Sequence, residues 1–217
     1  MKYEAVLFDL DGTLLDTAVD LMNAVNRTLE KWGYPQVDKK TVVAATGNGA
    51  AELVGGCLPE GKETPRFEEL LGDYRAWYEA HYCDETAPYD GVVEVLHRLQ
   101  MAGVKVAIIS NKNAPAVKSL CDKFFPGVLA YGEIPGIPRK PRPDMLWKVL
   151  DELGAGRDRV AYVGDSEVDI ATCRNARMDF VGVSWGFRGR QRLLQEAPGA
   201  TVVDTAEELE KCLIDKA

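Results

Sequence analysis

The stretch that decides the fold lies near the start of the chain, where residues 5–17 read Ala-Val-Leu-Phe-Asp-Leu-Asp-Gly-Thr-Leu-Leu-Asp-Thr. The apolar run Ala5–Phe8 predicts a buried strand, and two carboxylates, Asp9 and Asp11, stand where that strand should end. Residues i and i+2 of a strand point to the same side, so the two acids repel each other and need a cation or a shared proton. Such a pair suits phosphate chemistry: one carboxylate attacks phosphorus, its neighbour handles protons, and a divalent metal offsets the negative charge.

From residue 86 onward the chain alternates short apolar runs with helical patterns. Continuous β-branched and alanine runs separated by helices are typical of a parallel sheet that is covered on both faces. The sequence therefore predicts an α/β fold with a doubly wound, Rossmann-like parallel sheet whose first strand is Ala5–Leu10. The other predicted strands are Val104–Ile109, Val128–Tyr131, Val160–Val163, Phe180–Val183 and Thr201–Val203, and the predicted helices lie near 91–102, 114–124, 143–153, 166–176 and 205–214.

Residues 17–85 follow a different pattern. Their apolar residues, such as Leu21, Val25 and Leu29, recur at helical spacing, and glycine and proline divide the stretch into several helices. We interpret residues 17–85 as a helical cap inserted between the first two strands of the sheet. The α/β core then consists of residues 1–16 and 86–217.

Polar residues follow three of the predicted strands. The first strand ends in Asp9-Leu10-Asp11, the second in Ser110-Asn111-Lys112 and the fourth in Gly164-Asp165-Ser166. In an open parallel sheet, ligands bind beyond the carboxyl ends of the strands, so these three ends should face one crevice. Asp165 is placed to ligate a hard cation through oxygen, and the Ser110 hydroxyl could bond a phosphoryl oxygen.

Two charged residues outside these strand ends are further candidates. Lys140 lies between stiffening prolines in Arg139–Pro143, and a single ammonium is a suitable point charge to hold an acyl phosphate beside a carboxylate. Asp169 follows Asp165 by one helical turn and could orient Lys140 or a metal-bound water, although the helix dipole alone also favours an acid in a first turn. Glu167 should point elsewhere on this helix and lie at the surface.

Composition and charge argue against several classes of function. Of the 217 residues, 46% are apolar and 28% are charged, as in ordinary soluble globular proteins. A net charge of −8 argues against nucleic-acid binding, which needs a basic surface. No apolar run approaches a membrane span, and the N-terminal residues do not resemble a signal peptide. Five scattered cysteines without a CxxC pair predict reduced thiols in a cytoplasmic protein.

Four strings, taken in their order and strand contexts, resemble the haloacid dehalogenase superfamily. They are Asp9–Thr13, Ser110-Asn111, Lys140 and Gly164–Asp169. The resemblance spans essentially the whole chain, and the helical insertion is similar to that family's mobile cap. It implies a phosphatase in which Asp9 is the nucleophile and forms an aspartyl phosphate. Asp11 would protonate the leaving alcohol and then take a proton from the attacking water.

The same resemblance implies roles for further residues. The ligands implied for Mg²⁺ are the Asp9 carboxylate, the Asp11 backbone carbonyl and Asp165, with Asp169 as a further member of the metal set. The residues implied to hold the phosphoryl group are Ser110 and Lys140, assisted by Asn111 and by the turn at Gly12 and Thr13.

A narrower similarity concerns the substrate. The cap string Thr46-Gly47-Asn48-Gly49-Ala50, taken together with Ser110-Asn111-Lys112, is similar to bacterial phosphoglycolate phosphatases. It implies 2-phosphoglycolate, a small-molecule phosphate ester, as the substrate and a binding role for Gly47, Asn48 and Gly49. The Gly-Asn-Gly string could also be only a tight turn with a helix cap. The acidic composition of the predicted cap should disfavour large polyanions.

Several alternatives stay open at the level of the sequence. A sugar phosphomutase or an inorganic pyrophosphatase would use the same covalent chemistry. A phospho-acceptor signalling module also places an Asp at a strand end, but it would be shorter and would have no use for a helical cap. The oligomeric state is not determined by the sequence. The related family commonly has Gly near Arg177, so a left-handed Arg177 would cost about 1 kcal/mol relative to Gly.

Overall fold

The strands form one large sheet and one short pair in the computed structural model, which describes residues 2–214. The large sheet has the order β5-β4-β1-β6-β7-β8 with all neighbours parallel, and β2 pairs with β3. This arrangement confirms the predicted α/β fold. In chain order the strands are β1 (Ala5–Phe8), β2 (Leu15–Asp16), β3 (Ala87–Pro88), β4 (Lys105–Asn113), β5 (Leu129–Glu133), β6 (Val160–Gly164), β7 (Asp179–Val183) and β8 (Thr201–Val203).

Strand β1 lies at the centre of the large sheet because all four of its residues are apolar and buried. Phe8, its last residue, lies opposite Ile108 of β4 on one side and opposite Val163 of β6 on the other. A strand that is buried on both faces needs apolar residues at consecutive positions rather than at alternate ones. The register therefore places Asp9, the next residue, between the carboxyl-terminal parts of β4 and β6.

Helices connect and cover these strands. The predicted helices from residue 91 onward correspond to α5, α6, α7, α8 and α10, whereas α9 has no counterpart among the predictions. In chain order the helices of the described residues are α1 (Ala18–Lys31), α2 (Lys39–Ala45), α3 (Ala50–Gly56), α4 (Phe67–His81), α5 (Val92–Met101), α6 (Ala114–Phe124), α7 (Asp144–Leu153), α8 (Glu167–Ala176), α9 (Gly189–Glu196) and α10 (Ala206–Ile214).

The chain divides into two compact units. The sheet unit contains the described residues up to Leu15 and from Pro88 onward, and the helical unit is Asp16–Ala87. Each unit has its own apolar core. Buried side chains of α7 and α8 pack on β1, β4 and β6 in the sheet unit. The helical unit buries residues from all four of its helices against one another.

The two ends of the helical unit are fastened to each other by Asp20 on α1. Its buried carboxylate accepts hydrogen bonds from the N–H of Glu85 at 3.0 Å, from the N–H of Thr86 at 2.9 Å and from the Thr86 hydroxyl at 2.7 Å. A buried carboxylate is stable only when its oxygens are satisfied in this way. The segment that leaves the unit is therefore bound to the helix that begins it.

Strand β4 is longer than its apolar run predicts. The run ends at Ile109, but pairing with β5 continues to Asn113, which lies opposite Glu133 after a shift of register. The polar residues Ser110 to Lys112 thus belong to a strand and are buried. Strand pairing holds their backbone in a defined position.

One backbone position bears out a local prediction from the sequence. Arg177, the residue that follows α8, is left-handed with φ 57° and ψ 45°. It is exposed, and its N–H donates to the carbonyl of Arg174 as a helix-ending residue does. The conformation costs about 1 kcal/mol relative to Gly, because the Cβ atom of an L-residue is crowded there.

Candidate active site

The site is built on the segment that directly follows β1. Asp9 is buried, and its N–H donates to the carbonyl of Val163 on β6 at 2.9 Å. The chain then turns, and the N–H groups of Leu14 and Leu15 both donate to the carbonyl of Leu10 at 3.0 Å. The N–H of Gly12 donates to the carbonyl of Leu15 at 2.8 Å, so this amide serves the turn itself. These bonds fix Asp9 and Asp11 on a short, rigid segment.

Lys140 lies at the centre of the site and is 2% exposed. Its ammonium is 2.9 Å from Oδ1 of Asp9 and 2.8 Å from Oδ1 of Asp169. It also donates to the hydroxyl of Tyr162 at 2.8 Å, and that hydroxyl donates to the carbonyl of Ile109 at 3.1 Å. The ammonium is therefore surrounded by oxygen atoms, as a buried lysine requires.

Asn111 holds the backbone of Lys140 in place. Its side-chain nitrogen donates to the carbonyl of Lys140, and its side-chain oxygen accepts from the N–H of Lys140, both at 2.9 Å. The side-chain amide of Asn111 thus forms two hydrogen bonds with the backbone of Lys140. The sequence suggested Asn111 as a phosphoryl-binding residue, and the contacts here are with the loop that carries the lysine.

Asp169 on the first turn of α8 is completely buried. Its Oδ2 accepts from the Ser166 hydroxyl at 2.7 Å and from the N–H groups of Ser166 and Asp165 at 3.1 and 3.2 Å. The Ser166 hydroxyl in turn accepts from the N–H of Asp169, which completes a capping box. Asp169 is thus both a helix cap, through Oδ2, and the partner of Lys140, through Oδ1.

Asp165 at the end of β6 is held from two sides. Its Oδ1 accepts from the hydroxyl of Thr13 at 3.1 Å, and its Oδ2 accepts from the N–H of Phe187 at 2.7 Å. Gly12 has φ 81°, and a Cβ built there would lie 2.5 Å from Oδ2 of Asp165. Only Gly meets both the conformation and the close approach, so the turn after β1 and Asp165 fit against each other.

Burial and mutual repulsion shift the pKa values of these groups. Burial, with the charge of Asp169 adding to it, raises the pKa of Asp9 to about 7 even though Lys140 opposes the shift. Burial and the charges of Asp169 and Asp9 raise the pKa of Asp165 well above its usual range. Burial alone would lower the pKa of Lys140, but Asp169 and Asp9 outweigh it and raise that pKa well above the usual value. When Asp9, Asp165 and Asp169 are all ionised, the single positive charge of Lys140 does not balance their negative charge.

This shortage of positive charge fits a metal site. Carboxylate oxygens of Asp9, Asp165 and Asp169 all lie within 4.8 Å of one another, and the three residues are buried. Hard divalent cations prefer oxygen ligands of this kind. The residues present therefore could bind a metal ion at the carboxyl ends of β1 and β6.

A second ion pair involves the remaining acid of the turn. The ammonium of Lys112, at the end of β4, is 2.8 Å from Oδ1 of Asp11. The side chains of Lys112 and Asp11 are 5% and 13% exposed. The N–H of Lys112 donates to the hydroxyl of Ser110 at 3.2 Å. The three predicted strand ends therefore meet: Asp11 after β1 contacts Lys112 of β4, and Thr13 after β1 contacts Asp165 after β6.

The segment after β7 belongs to the site although the sequence analysis did not select it. Besides the Phe187 bond to Asp165, the indole N–H of Trp185 donates to the carbonyl of Thr13 at 3.0 Å. Arg188 forms two parallel bonds to Glu167, at 2.8 and 2.9 Å. The Glu167 side chain stays 35% exposed, as expected of a surface residue, and Arg188 holds its carboxylate. The available signal was the alternation of aromatic, glycine and arginine residues in Ser184–Gly189.

Gly186 allows this segment to lie against Asp165. A Cβ built on Gly186 would lie 2.3 Å from both the Cβ of Asp165 and the carbonyl oxygen of Gly12. We expect Gly186→Ala to weaken metal binding by about 10–100-fold, the usual range when a group that orients a metal ligand is displaced. Calorimetric titration with MgCl2 measures the change. Gly72→Ala is the matched control because nothing lies within 4 Å of a Cβ there, and unchanged binding in Gly186→Ala would contradict the prediction.

The predicted cap residues lie in the helical unit. Gly47 and Gly49 have φ values of 120° and 88°, and Gly49 precedes the first residue of α3. Asn48 stands between them, in the turn that joins α2 to α3. The string therefore forms a tight turn at a helix start. Its role in binding substrate stays a prediction.

Comparison with known proteins agrees with this geometry. The sequence model of haloacid dehalogenase-like hydrolases matches residues 6–183. A phosphoglycolate phosphatase of Colwellia psychrerythraea is 34% identical over 90% of each chain. A pyrophosphatase, PpaX, of Halalkalibacterium halodurans is 30% identical over 91% of each chain. A crystal structure from Lactobacillus delbrueckii subsp. bulgaricus, provisionally described as a phosphoglycolate phosphatase, superposes over 100% of both chains with a TM-score of 0.93 and 35% identity.

Fold, site and similarity point to one family. The parallel sheet carries the acids at the end of its central strand β1, and the helical unit is inserted in the sequence between β1 and β4. The match to the family model covers most of the chain, including all three strand ends. A non-enzymatic phospho-acceptor module is therefore set aside. The chain belongs to the haloacid dehalogenase-like hydrolase family and is an enzyme that resembles phosphoglycolate phosphatases.

Proposed function

We propose that this enzyme is a Mg²⁺-dependent phosphatase that hydrolyses a small phosphate monoester, 2-phosphoglycolate, through a phosphoryl group held transiently on Asp9. One observation carries the proposal: the buried Asp9 carboxylate lies at the end of the central strand with the Lys140 ammonium at 2.9 Å and Asp165 beside it. A carboxylate so placed can attack phosphorus while positive charge receives the phosphoryl oxygens.

The residues that would hold Mg²⁺ are the carboxylates of Asp9 and Asp165 and the backbone carbonyl of Asp11. Asp169 is a weaker candidate for direct ligation because its Oδ1 is paired with the Lys140 ammonium and its Oδ2 accepts three hydrogen bonds from Asp165 and Ser166. Its contacts support a role in orienting Lys140. When bound, the ion offsets the negative charge of the carboxylates and the phosphate and polarises the phosphoryl group.

The reaction proceeds in two displacements at phosphorus. In the first, an oxygen of Asp9 forms a bond to phosphorus as the bond to the ester oxygen breaks, and protonated Asp11 gives its proton to the departing alkoxide. In the second, water attacks the same phosphorus and transfers a proton to Asp11. The bond between Asp9 and phosphorus then breaks, which restores both carboxyl groups and releases inorganic phosphate.

Five neighbouring residues support these steps. The Lys140 ammonium and the Ser110 hydroxyl would receive phosphoryl oxygens, and Asn111 would keep Lys140 in position through its backbone. Thr13 would hold the metal ligand Asp165 through its hydroxyl. Gly12 allows the turn to approach Asp165 closely, which brings the acids together.

The choice of substrate depends on the similarity to named relatives and on the acidic helical unit. The relative from Colwellia is named a phosphoglycolate phosphatase, and the turn at Gly47–Gly49 is our candidate for a contact with the substrate. The relative from Halalkalibacterium is named a pyrophosphatase, so inorganic pyrophosphate is the second candidate substrate. Both are small phosphate compounds that the same Asp9 chemistry could cleave.

A phosphate-release assay on a panel of metabolites tests the proposal. The panel contains 2-phosphoglycolate, pyrophosphate, a hexose 1-phosphate and several sugar 6-phosphates, each with MgCl2. We expect the highest kcat/KM with 2-phosphoglycolate and loss of release when EDTA is added, with recovery on excess MgCl2. Release that persists in EDTA would contradict the metal requirement. A higher kcat/KM with pyrophosphate would replace the substrate, and no release from any compound would overturn the proposed activity.

A further inference from the structure

The site contains a second buried lysine that the proposed mechanism does not use. The Lys112 ammonium is 2.8 Å from Oδ1 of Asp11, whereas Lys140 contacts Asp9 and Asp169. Each of the two acids that follow β1 therefore has its own lysine. The Lys112 side chain is only 5% exposed, so its ammonium is largely removed from water and depends on Asp11 for a charged partner.

Both partners are carried by a well-defined backbone, so the ion pair acts on the side-chain torsions. Lys112 lies on β4, its N–H donates to the Ser110 hydroxyl, and β4 pairs with β5 on both sides of it, at Ile109 and again at Asn113. Asp11 lies in the turn after β1, and its carboxylate can rotate about two side-chain bonds. An ion pair between a strand residue and a turn residue limits the rotation of the latter.

We propose that Lys112 is a positioning residue for Asp11. The ammonium holds Oδ1, which keeps Oδ2 directed to the position where the leaving oxygen gains its proton and where water later gives one up. In this role Lys112 acts through Asp11 and takes no part in the transfer of the phosphoryl group. The inference deepens the proposed function and rests on it, since it concerns the proton transfer that we assign to Asp11.

The identity of the leaving group separates this role from a structural one. An alkoxide such as that of glycolate is a poor leaving group and needs a proton, whereas 2,4-dinitrophenolate departs without one. The kcat/KM value reports the step in which Asp9 takes the phosphoryl group and does not contain the later hydrolysis. Loss of correctly placed acid should therefore reduce kcat/KM for the alkyl ester much more than for the aryl ester.

The variant Lys112→Met keeps the length and apolar part of the side chain and removes the ammonium. We expect kcat/KM for 2-phosphoglycolate to fall by about 10²-fold, within the range of general acid catalysis, and kcat/KM for 2,4-dinitrophenyl phosphate to fall by less than about threefold. Ethyl phosphate, which lacks the carboxylate of 2-phosphoglycolate, should lose as much as 2-phosphoglycolate. The control Lys118→Met removes an exposed lysine of α6 and should change none of the three values.

Three results would overturn the inference in an active enzyme. Equal losses with alkyl and aryl esters would indicate a general structural role, and a loss confined to 2-phosphoglycolate would indicate that Lys112 binds the substrate carboxylate. In the background of Asp11→Asn, Lys112→Met should have no further effect on 2-phosphoglycolate, and an additional loss would show that Lys112 acts on another group. This double variant also removes both charges of the pair, so it remains informative if the single variant fails to fold.

The failure of the proposed function looks different. In that case the wild-type enzyme itself releases no phosphate from any of the three esters, and no comparison between variants arises. When the wild-type enzyme is active on the three esters, the outcomes above therefore test Lys112 alone.

Discussion

Asp9→Asn should abolish phosphate release, with a fall in kcat of about 10⁴-fold or more, as for other enzymes that lose their nucleophile. The amide has nearly the same shape as the carboxylate but cannot form the acyl phosphate. The folded state should survive, because the substitution removes a buried negative charge whose pKa is already raised to about 7 by burial. Phosphate release and urea unfolding measured on the same preparation check both parts of this expectation.

A chemical trap identifies the residue that carries the phosphoryl group. Borohydride reduces an aspartyl phosphate to homoserine, so peptide mass spectrometry after quenching during turnover should find homoserine at position 9 of the wild-type enzyme. Asp122→Asn, which removes an exposed carboxylate of α6, is the matched control and should keep both activity and the trapped product. Homoserine at another position, or a residual activity above about one per cent in Asp9→Asn, would mean that the nucleophile lies elsewhere.

Lys140→Met should be the most destabilising single substitution at the site. The ammonium contacts Asp9, Asp169 and Tyr162 in a fully buried position, and its removal leaves two carboxylates without their partner. Breaking a buried ion pair from one side costs about 3–5 kcal/mol of the free energy of unfolding. The exposed pair of Lys148 and Glu152 offers the control, because Lys148→Met should cost less than about 1 kcal/mol.

Magnesium should return part of the stability that Lys140→Met loses. A cation that binds only the folded state stabilises it by mass action, and a site with an uncompensated negative charge should bind it more tightly. Urea unfolding of the wild type and the variant, each with and without MgCl2, measures this difference. The variant Lys140→Met/Asp169→Asn removes one of the unpaired charges and should be more stable than Lys140→Met alone. A loss in Lys140→Met no larger than that in Lys148→Met would show that the pair contributes little.

The sequence was most informative where chemistry and strand pattern coincide. An apolar run that ends in a polar residue predicts both a strand and the edge of the sheet to which it points. Asp9, Ser110 and Asp165 were located in this way, and the three strand ends meet. Lys140 was selected for a different reason, since prolines stiffen its surroundings and a single ammonium suits an acyl phosphate beside a carboxylate.

Residues that act through shape or through long-range pairing were missed. Tyr162 reads as an ordinary core residue of β6, and nothing local indicates that its hydroxyl meets the lysine of a distant loop. The importance of Gly186 depends on its distance from Asp165, which only the fold defines. Lys112 was noted as the end of a strand, but its pairing with Asp11 spans about half the chain and has no signature in sequence spacing.

Asn111 illustrates a different limit. The resemblance to the family implied a substrate-binding role for Asn111. Both ends of its amide pair with the backbone of Lys140, which nothing near Asn111 in the sequence indicated, and its contact with substrate stays a prediction. A side chain that is next to a reactive residue in the sequence can thus form its hydrogen bonds with a residue from a distant part of the chain.

The fastening of Glu85 and Thr86 to Asp20 has a consequence for how such enzymes diversify. Asp20 joins the start of the inserted helices to their end. The two points where the chain leaves and re-enters the sheet unit are therefore held together, as the two ends of a short hairpin loop would be. We expect the composition of these helices and even their number to vary without displacing the strand that precedes Asp9. Exchange of the whole helical unit, Asp16–Ala87, between relatives should therefore be a simple way to change substrate specificity, in evolution or by engineering.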